Sequence, residues 1–320
     1  MRWELLAMLF GMICCIWLAQ CNPPADKAPL VTEPILSKLE TGNYKFEYGD
    51  VLLEVMPALG GRISRLAYAN EDILTSRDLG DLAFGSTLWP SPQSRWGWPP
   101  PAQLDKGNYI SRVNGDTLFM KSEIDSTLQL SFEKMIYFSP SDTTIHLRYS
   151  IEHHVDTIQW VAPWENTRVP KGGLAFFPQG ESPPKGKGLG YPIPGFEKGG
   201  IYWYHNKVDT NKTHLLSIAD CGQSGWLAFA RKGLMLVKVF NDMRPSLQAP
   251  GEGEIALYVS PEQPFMEIEV EGPFTGLLGG NALSWHMQWV VRPLPEGETI
   301  EAGNQILVEM ASKLAKQRKY

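Results

Sequence analysis

Three glutamates alternate along one short stretch of the sequence, Glu267, Glu269 and Glu271, with apolar residues between them. On a β-strand, side chains two positions apart share a face, so a strand over residues 265–271 would place the three carboxylates side by side. Positioned carboxylates are common groups for general acid–base chemistry. The same alternation is typical of an ordinary strand with one face in water and one in the core. The stretch therefore indicates either the floor of a cleft or a solvated sheet face.

The segment from residue 84 to residue 101 is rich in tryptophan and proline, with three of the 11 tryptophans and five of the 25 prolines. Indole rings stack on the apolar faces of sugar rings, and arginine and glutamine side chains bind hydroxyl groups. Prolines hold such a loop in one shape, which lowers the entropy lost on binding. The composition predicts a carbohydrate-binding loop, and the alternative is a proline-braced loop whose tryptophans only cover the core. The candidate contacts are Trp89, Gln93, Arg95, Trp96 and Trp98.

Four further residues are candidates for ligand contact. Arg62 and Arg168 carry guanidinium groups that bind hydroxyls or carboxylates through two hydrogen bonds, and the alternative for each is a structural ion pair. Trp164 lies close to Arg168 in the sequence. Lys238 lies between two valines, so its side chain points either into a cleft or to the water outside a sheet.

The composition excludes several classes of function. The formal net charge is −6, and no basic cluster indicates nucleic-acid binding. The sequence contains no zinc-ligand spacing, phosphate-binding loop, dinucleotide-binding glycine pattern or nucleophile elbow. Of the four cysteines, only Cys221 lies beyond the first 21 residues, which leaves no disulfide framework. The sequence therefore predicts neither a metal nor a cofactor.

The N-terminus has the pattern of a lipoprotein signal peptide over residues 1–20. A charged start precedes an almost wholly apolar run and then Cys21, which is predicted to become the lipidated first residue of the mature protein. Gln20 departs from the small residue usual before such a cysteine, and the alternative is an uncleaved N-terminal anchor. Residues 21–40 are polar and contain prolines, which predicts a tether. We expect the protein in the bacterial cell envelope, anchored to a membrane outside the cytoplasm.

Residues 41–311 are predicted to form one all-β domain. Short segments of alternating apolar and polar residues are separated by turn residues, as in a β-sandwich. Helical periodicity appears only in the basic tail, residues 312–320, and the irregular stretch 178–200 is a candidate wall or lid of a site. The predicted strands cover residues 44–48, 51–56, 62–68, 117–122, 128–138, 143–153, 157–162, 215–219, 226–231, 234–240, 254–259, 265–271, 284–293 and 305–311.

Several strings together resemble an uncharacterised bacterial family of the galactose mutarotase-like, or aldose 1-epimerase-like, superfamily. The most specific is the tryptophan–proline segment, and the resemblance spans residues 42 to 311. The strings are residues 57–66, 84–101, 163–169 with Gly172 and Gly173, 225–229 leading to 238–240, and 265–273. The resemblance implies a β-supersandwich of two large antiparallel sheets with a carbohydrate cleft on the concave face. It implies sugar binding more strongly than catalysis, because one fold hosts many functions.

Epimerases of that superfamily usually use a glutamate and a histidine as base and acid. Residues 161–168, which should supply the histidine, contain none. If the chain is an enzyme, the resemblance implies that Glu165 serves as the acid, with Glu269 as the first candidate for the base and Glu267 as the second.

Three functions remain open at this level. The first is a lipid-anchored carbohydrate-binding protein, and the second is an aldose 1-epimerase-like isomerase with two glutamates as its acid–base pair. The third is an envelope module that docks another protein through its tryptophans. An isomerase needs two carboxylates facing each other across a sugar-sized gap, whereas a docking module would present the tryptophans on a convex patch.

Overall fold

The computed structural model describes most of the chain beyond its first 30 residues. The described residues are 31–80, 83–180, 185–186, 195–205, 215–220, 224–260 and 263–317. The predicted signal peptide, Cys21 and Cys221 lie outside them, as does most of the stretch 178–200. Among the described residues, no helix is both long and apolar enough to cross a membrane.

The described residues are mostly β-strand. The two α-helices are α1 (Ala102–Asp105) and α2 (Gln305–Lys316). The strands are β1 (Val31–Lys38), β2 (Tyr44–Gly49), β3 (Val51–Met56), β4 (Arg62–Tyr68), β5 (Glu71–Asp72), β6 (Ser86–Ser91), β7 (Ile110–Asn114), β8 (Thr117–Lys121), β9 (Leu130–Phe138), β10 (Ile145–His153), β11 (Gln159–Pro170), β12 (Leu174–Pro178), β13 (Lys185–Gly186), β14 (Phe196–Lys198), β15 (Ile201–His205), β16 (Leu215–Ala219), β17 (Trp226–Arg231), β18 (Leu234–Phe240), β19 (Ile255–Val259), β20 (Phe265–Glu271), β21 (Thr275–Leu277) and β22 (Ala282–Pro293).

These strands form two large antiparallel sheets, as the sequence predicted. The first sheet has 12 strands, ordered β1-β2-β3-β4-β6-β11-β20-β19-β16-β13, with β5 beside β4 and β21 beside β11. The second has 10 strands, ordered β14-β15-β12-β17-β18-β22-β10-β9-β8-β7. The main hydrophobic core contains apolar side chains from both sheets, including Met266, Ile268 and Val270 of β20. The glutamates that alternate with them therefore lie on the opposite face of the first sheet.

A second apolar cluster covers the outer face of the second sheet, where α2 packs. Leu307, Ala311 and Ala315 recur every four residues along α2 and are buried against β17 and β18. Asn304 caps the helix by accepting a hydrogen bond from the Ile306 backbone N–H at 2.9 Å. The predicted strand over residues 305–311 is therefore wrong: this segment begins the helix that was expected only from residue 312.

β1 and β6 lie where the sequence predicted a tether and a loop. β1 pairs with β2 inside the predicted tether, so residues 31–38 of that segment are a strand of the first sheet. β6 occupies the first half of the tryptophan–proline segment, and all six of its residues are buried between β4 and β11. Pro90 of β6 lies opposite Pro163 of β11 in this pairing. Prolines are rare in central strands, which is why the sequence pattern favoured a loop here.

The interior between the sheets holds one fully buried ion pair. Lys238 of β18 donates to the Glu165 carboxylate of β11 and to the backbone carbonyl of Ile268. Both charged side chains are 0 % exposed. Burial lowers the pKa of Lys238, and the nearby Glu165 carboxylate partly offsets this effect. Ser86 and Thr167 also donate to Glu165, so the carboxylate is held by neighbours on three strands.

A second buried lysine, Lys134 of β9, has carbonyl partners. Its ammonium group donates to the backbone oxygens of Gly60 at 2.7 Å and Gly61 at 3.2 Å, in the turn before β4. Gly60 has a φ of +68°, and a Cβ at that position would lie 1.9 Å from the Asp105 carbonyl oxygen. Position 60 therefore requires glycine. The hydrogen bonds from Lys134 connect this turn to β9 of the second sheet. Burial lowers the pKa of Lys134 to about 7, and the nearby Arg62 charge acts in the same direction.

Replacing Lys238 with methionine should lower the free energy of unfolding by about 3–5 kcal/mol, because Glu165 would remain buried without its partner. The double variant Lys238→Met with Glu165→Leu should lose much less than the sum of the two single variants. Urea unfolding of the four proteins measures this coupling. Additive losses would contradict the pairing.

Lys134 should make stability depend on pH. Its folded-state pKa of about 7 lies below its ordinary value of 10.5, so the unfolded chain binds more protons between these values. The free energy of unfolding should therefore rise with pH across that window, and the burial penalty is complete below pH 7. Urea unfolding at pH 6 and pH 9 should show the wild type gaining stability relative to Lys134→Met at the higher pH. An unchanged difference would contradict the shifted pKa.

Candidate functional site

The candidate site lies on the face of the first sheet that is turned away from the core. Three adjacent strands, β6, β11 and β20, form its floor. Trp164 of β11 lies opposite Trp89 of β6 and opposite Glu271 of β20. Two residues further on, Asn166 lies opposite Glu269, and Arg168 follows opposite Glu267. Because side chains alternate, these groups share one face while Glu165, between them, turns into the core.

A cavity of about 340 Å³ opens over this face. Its volume is within the range of about 300 to 1,000 Å³ that is typical of small-molecule sites. Aromatic rings form much of the wall. The aromatic lining residues are Trp89, Trp98, Trp164, Tyr258 and Phe265. The charged lining residues are Asp105, Arg168, Glu252, Glu267 and Glu269.

The cross-strand register explains how the polar groups of the floor are held. Arg168 Nε lies 3.0 Å from Glu267 Oε1 directly across the β11–β20 ladder. Glu269 accepts from Trp164 Nε1 at 2.8 Å and from Asn166 Nδ2 at 3.3 Å. Glu271 accepts from the Ser91 hydroxyl of β6 at 2.8 Å. The three carboxylates are buried, so the face is not a solvated sheet surface.

The tryptophans form one connected cluster beside the floor. Trp89 is in edge-to-face contact with Trp164 at 5.1 Å between ring centroids and with Trp98 at 6.0 Å. Trp96 contacts both Trp89 and Trp164, and its Nε1 donates to the Pro90 carbonyl at 2.6 Å. Trp98 is 66 % exposed although it lines the cavity. The cluster thus runs from a buried base to an open rim.

Asp105 fixes the base of the tryptophan cluster. Its Oδ1 accepts from Trp89 Nε1 at 2.7 Å, from Arg62 Nη2 at 3.1 Å and from the Thr87 hydroxyl at 3.2 Å. Arg62 also donates to the Phe84 carbonyl and is 0 % exposed. Burial lowers the pKa of Arg62 to about 10, an effect that Asp105 partly offsets. Arg62 therefore supports Trp89 from beneath.

Seven of the sequence-predicted site residues meet in this cavity. They are Trp89, Gln93, Trp98, Trp164, Arg168, Glu267 and Glu269. The three tryptophans among them line a concavity, not a convex patch.

Five predicted residues lie elsewhere. Glu165 and Lys238 form the buried pair between the sheets. Lys238 therefore faces neither the cleft nor the outer water, which were the two positions that the sequence predicted for it. Arg62 lies beneath Asp105, and Trp96 touches the cluster without lining the cavity. Arg95 lines a different surface depression, together with Thr127, Ile158 and nearby residues.

Sequence reasoning missed several groups of the site. Asp105 follows the tryptophan–proline segment in α1, and no pattern around it indicated its contacts. Asn166 shares the outward face with Trp164, a relation visible only once residues 163–170 are known to continue β11. Tyr258 and Ala256 alternate within a predicted strand, but the pairing of β19 beside β20 was needed to place them in the wall. Glu252 and Gln263 lie in connections between strands.

The arrangement provides stacking surfaces, carboxylate acceptors and one guanidinium. Arg168 Nη1 is buried and has no hydrogen-bond partner in the described part of the chain. Its N–H group could therefore donate to an oxygen atom of a ligand. Among the residues that the structure describes, no histidine lines the cavity. Outside the cavity lining, the carboxylates of Asp220, Asp242 and Glu254 have oxygens within 4.8 Å of one another, close enough to hold a cation.

Comparison with known proteins places the fold. No protein-family model matches the chain. A search of curated proteins likewise gives no match. Solved structures do match. A galactose mutarotase-like protein from Lactobacillus casei has a TM-score of 0.57 at 12 % identity, over 78 % of this chain and 100 % of that one. Galactose 1-epimerase from Lactobacillus acidophilus has a TM-score of 0.54 at 9 % identity, over 83 % and 100 %.

A TPR-domain containing protein from Parabacteroides distasonis has a TM-score of 0.57 at 16 % identity. The match covers 81 % of this chain but only 49 % of that protein, so this chain spans about half its length. At such identities the similarity establishes architecture and leaves activity to the site itself. The chain has the galactose mutarotase-like β-sandwich fold that its sequence resemblance implied.

Proposed function

We propose that this protein binds carbohydrate in the cavity over β6, β11 and β20. The observation that carries the proposal is the wall of tryptophans standing beside a floor of buried carboxylates and Arg168. Indole faces offer apolar stacking surfaces, and the floor offers acceptors and a donor for hydroxyl groups. A concave site with a few convergent polar groups is the usual form of a small-molecule site. The shared fold with a galactose mutarotase-like protein and with galactose 1-epimerase supports the same ligand class.

We further propose that a lipid on Cys21 holds the mature protein at the bacterial cell envelope. The sequence supports this through the apolar run over residues 5–19 and the cysteine that follows it. Two or more acyl chains on one residue give stable attachment to a bilayer. A carbohydrate-binding domain attached through that residue would then stand outside the cytoplasm.

The isomerase alternative has less support. Mutarotation needs an acid and a base on opposite sides of the sugar. Glu269 and Glu267 lie in the cavity as candidate bases, but they come from the same strand and the same face. Glu165, the expected acid, is directed into the core, and no histidine of the described segments lines the cavity. The alternative of a protein-docking module also has less support, because Trp89, Trp98 and Trp164 line a concave cavity and not a convex patch.

Truncating Trp98 should weaken sugar binding at least about tenfold, because its exposed ring forms the rim of the stacking surface. The measurement is a tryptophan-fluorescence titration with a panel of mono- and oligosaccharides. Trp160→Ala is the matched control, since Trp160 is also exposed but packs on Phe274 outside the cavity. A complete lack of response in the wild type to every glycan would refute the proposed function.

Polarimetry should show no acceleration of glucose or galactose mutarotation above the uncatalysed rate. The reason is that Glu165 points into the core, and within the described part of the chain no histidine faces Glu269 across the cavity. Glu269→Gln serves as the comparison. If the wild type accelerates mutarotation and this variant does not, the protein is an isomerase and the binding-only assignment is wrong.

A further inference from the structure

The ion pair between Arg168 and Glu267 belongs to the cavity floor. The two residues lie directly opposite each other on β11 and β20, and Tyr258 of β19 lies opposite Glu267 on its other side. All three residues line the cavity. A ligand in the cavity therefore meets this pair.

One donor and one acceptor of the pair are left for a ligand. Arg168 Nε lies 3.0 Å from Glu267 Oε1, and this contact joins the two side chains. Arg168 Nη1 is buried and makes no hydrogen bond to any described residue. Glu267 Oε2 likewise has no hydrogen-bond partner among the described residues, and the Glu267 side chain is 12 % exposed. Because a buried donor without a partner costs free energy, the pair favours a ligand group that both accepts and donates.

The acceptor for Nη1 has to reach a nearly buried guanidinium group. The Arg168 side chain is 3 % exposed, and its guanidinium carbon lies 5.3 Å from the centroid of the Trp89 ring. A hydroxyl oxygen is bonded directly to the sugar ring, so it stays close to a ring that stacks on the indoles. An acetamido oxygen stands further out on a side group and extends toward the floor. The same amide group carries an N–H donor for the Glu267 carboxylate.

The surroundings of the pair also match the methyl end of an acetamido group. Phe265 precedes Glu267 by two residues on β20 and therefore shares its cavity-side face. Ala256 of β19 lines the cavity as well, opposite Glu269. Contact with these apolar side chains would remove the methyl group from water, which is favourable.

Charged sugar substituents match the pair less well. The Glu267 carboxylate already lies 3.0 Å from Nε of the same guanidinium. A ligand carboxylate at Nη1 would therefore lie close to a like charge, and the two would repel each other. A protonated amino group has donors and no acceptor, so it does not bind Nη1. A neutral amide accepts from Arg168 without either disadvantage.

We propose that the ligand of this cavity is an N-acetylated sugar, whose acetamido carbonyl accepts from Arg168 Nη1 and whose acetamido N–H donates to Glu267. This assignment rests on the proposed carbohydrate-binding function and narrows its ligand class. The sugar ring stacks on the tryptophan wall, and the acetamido methyl group packs against Phe265. Arg168 and Glu267 thereby determine the specificity of the site.

The test is a tryptophan-fluorescence titration of the full chain with sugars that differ in a single substituent. N-acetylglucosamine and N-acetylgalactosamine carry the acetamido group, and glucose and galactose carry a hydroxyl group in its place. Glucosamine lacks the carbonyl group, and glucuronate supplies a carboxylate. We expect each N-acetylated sugar to bind at least about tenfold more tightly than its hydroxyl counterpart and than glucosamine. Glucuronate should bind no more tightly than glucose.

Two variants assign the preference to its residues. Arg168→Lys keeps a positive charge beside Glu267 but removes Nη1, so the acetamido preference should fall to near unity while glucose still binds. Glu267→Gln replaces one acceptor oxygen with a donor nitrogen, should reduce the preference in part, and serves if the first variant does not fold. Arg65→Lys is the matched control, since Arg65 also pairs with a carboxylate, that of Asp72 at 2.7 Å, and lies outside the cavity lining.

The outcomes separate the two proposals. Equal binding of the N-acetylated and hydroxyl sugars, or tighter binding of glucosamine or glucuronate, would overturn the acetamido assignment and leave carbohydrate binding intact. An acetamido preference that survives both substitutions would also overturn it. Binding of none of these sugars would overturn the assignment, and a lack of response to every glycan would refute the proposed function as well.

Discussion

The alternation of side chains along β11 is the constraint on which the rest of the structure depends. One set of its residues, Trp164, Asn166 and Arg168, faces the cavity, and the intervening Glu165 and Thr167 face the other sheet. The same strand therefore carries a cavity-facing surface and a buried charge at adjacent positions. A shift of its register by one residue would exchange the two faces and destroy both.

The two faces of this strand also support each other. On the inner face, Lys238 joins the second sheet to Glu165, which fixes the distance between the sheets beneath the floor of the cavity. On the outer face, the direct register of Arg168 with Glu267 and of Asn166 with Glu269 holds the carboxylates in place. Asp105 and Arg62 do the same for Trp89. Side chains locked by such contacts give a binding surface that loses little entropy when a ligand arrives.

Much of the architecture was predictable because apolar alternation is local. The strands from β8 to β10 and from β17 to β20 follow directly from their patterns, as does the inward position of Met266, Ile268 and Val270. The failures have physical causes. Residues 305–311 contain β-favouring Ile and Val, and the helix is decided by the four-residue recurrence that buries Leu307 on the second sheet. Pro90 concealed β6, and Pro163 concealed the continuation of β11 beyond residue 162, because proline is normally excluded from central strands.

The sequence by itself determined the residue types of the site: the tryptophan-rich segment, the alternating glutamates and Arg168. It could not determine which of them meet, because strand pairing between residues more than 70 positions apart is a tertiary property, as in the pairing of β6 with β11. Only the fold decided that Glu165, Arg62 and Lys238 serve the interior, and that Asp105 and Asn166 belong to the site. The physical reason is that a charged side chain is placed by its partner, and the partners here come from distant strands and from the opposite sheet.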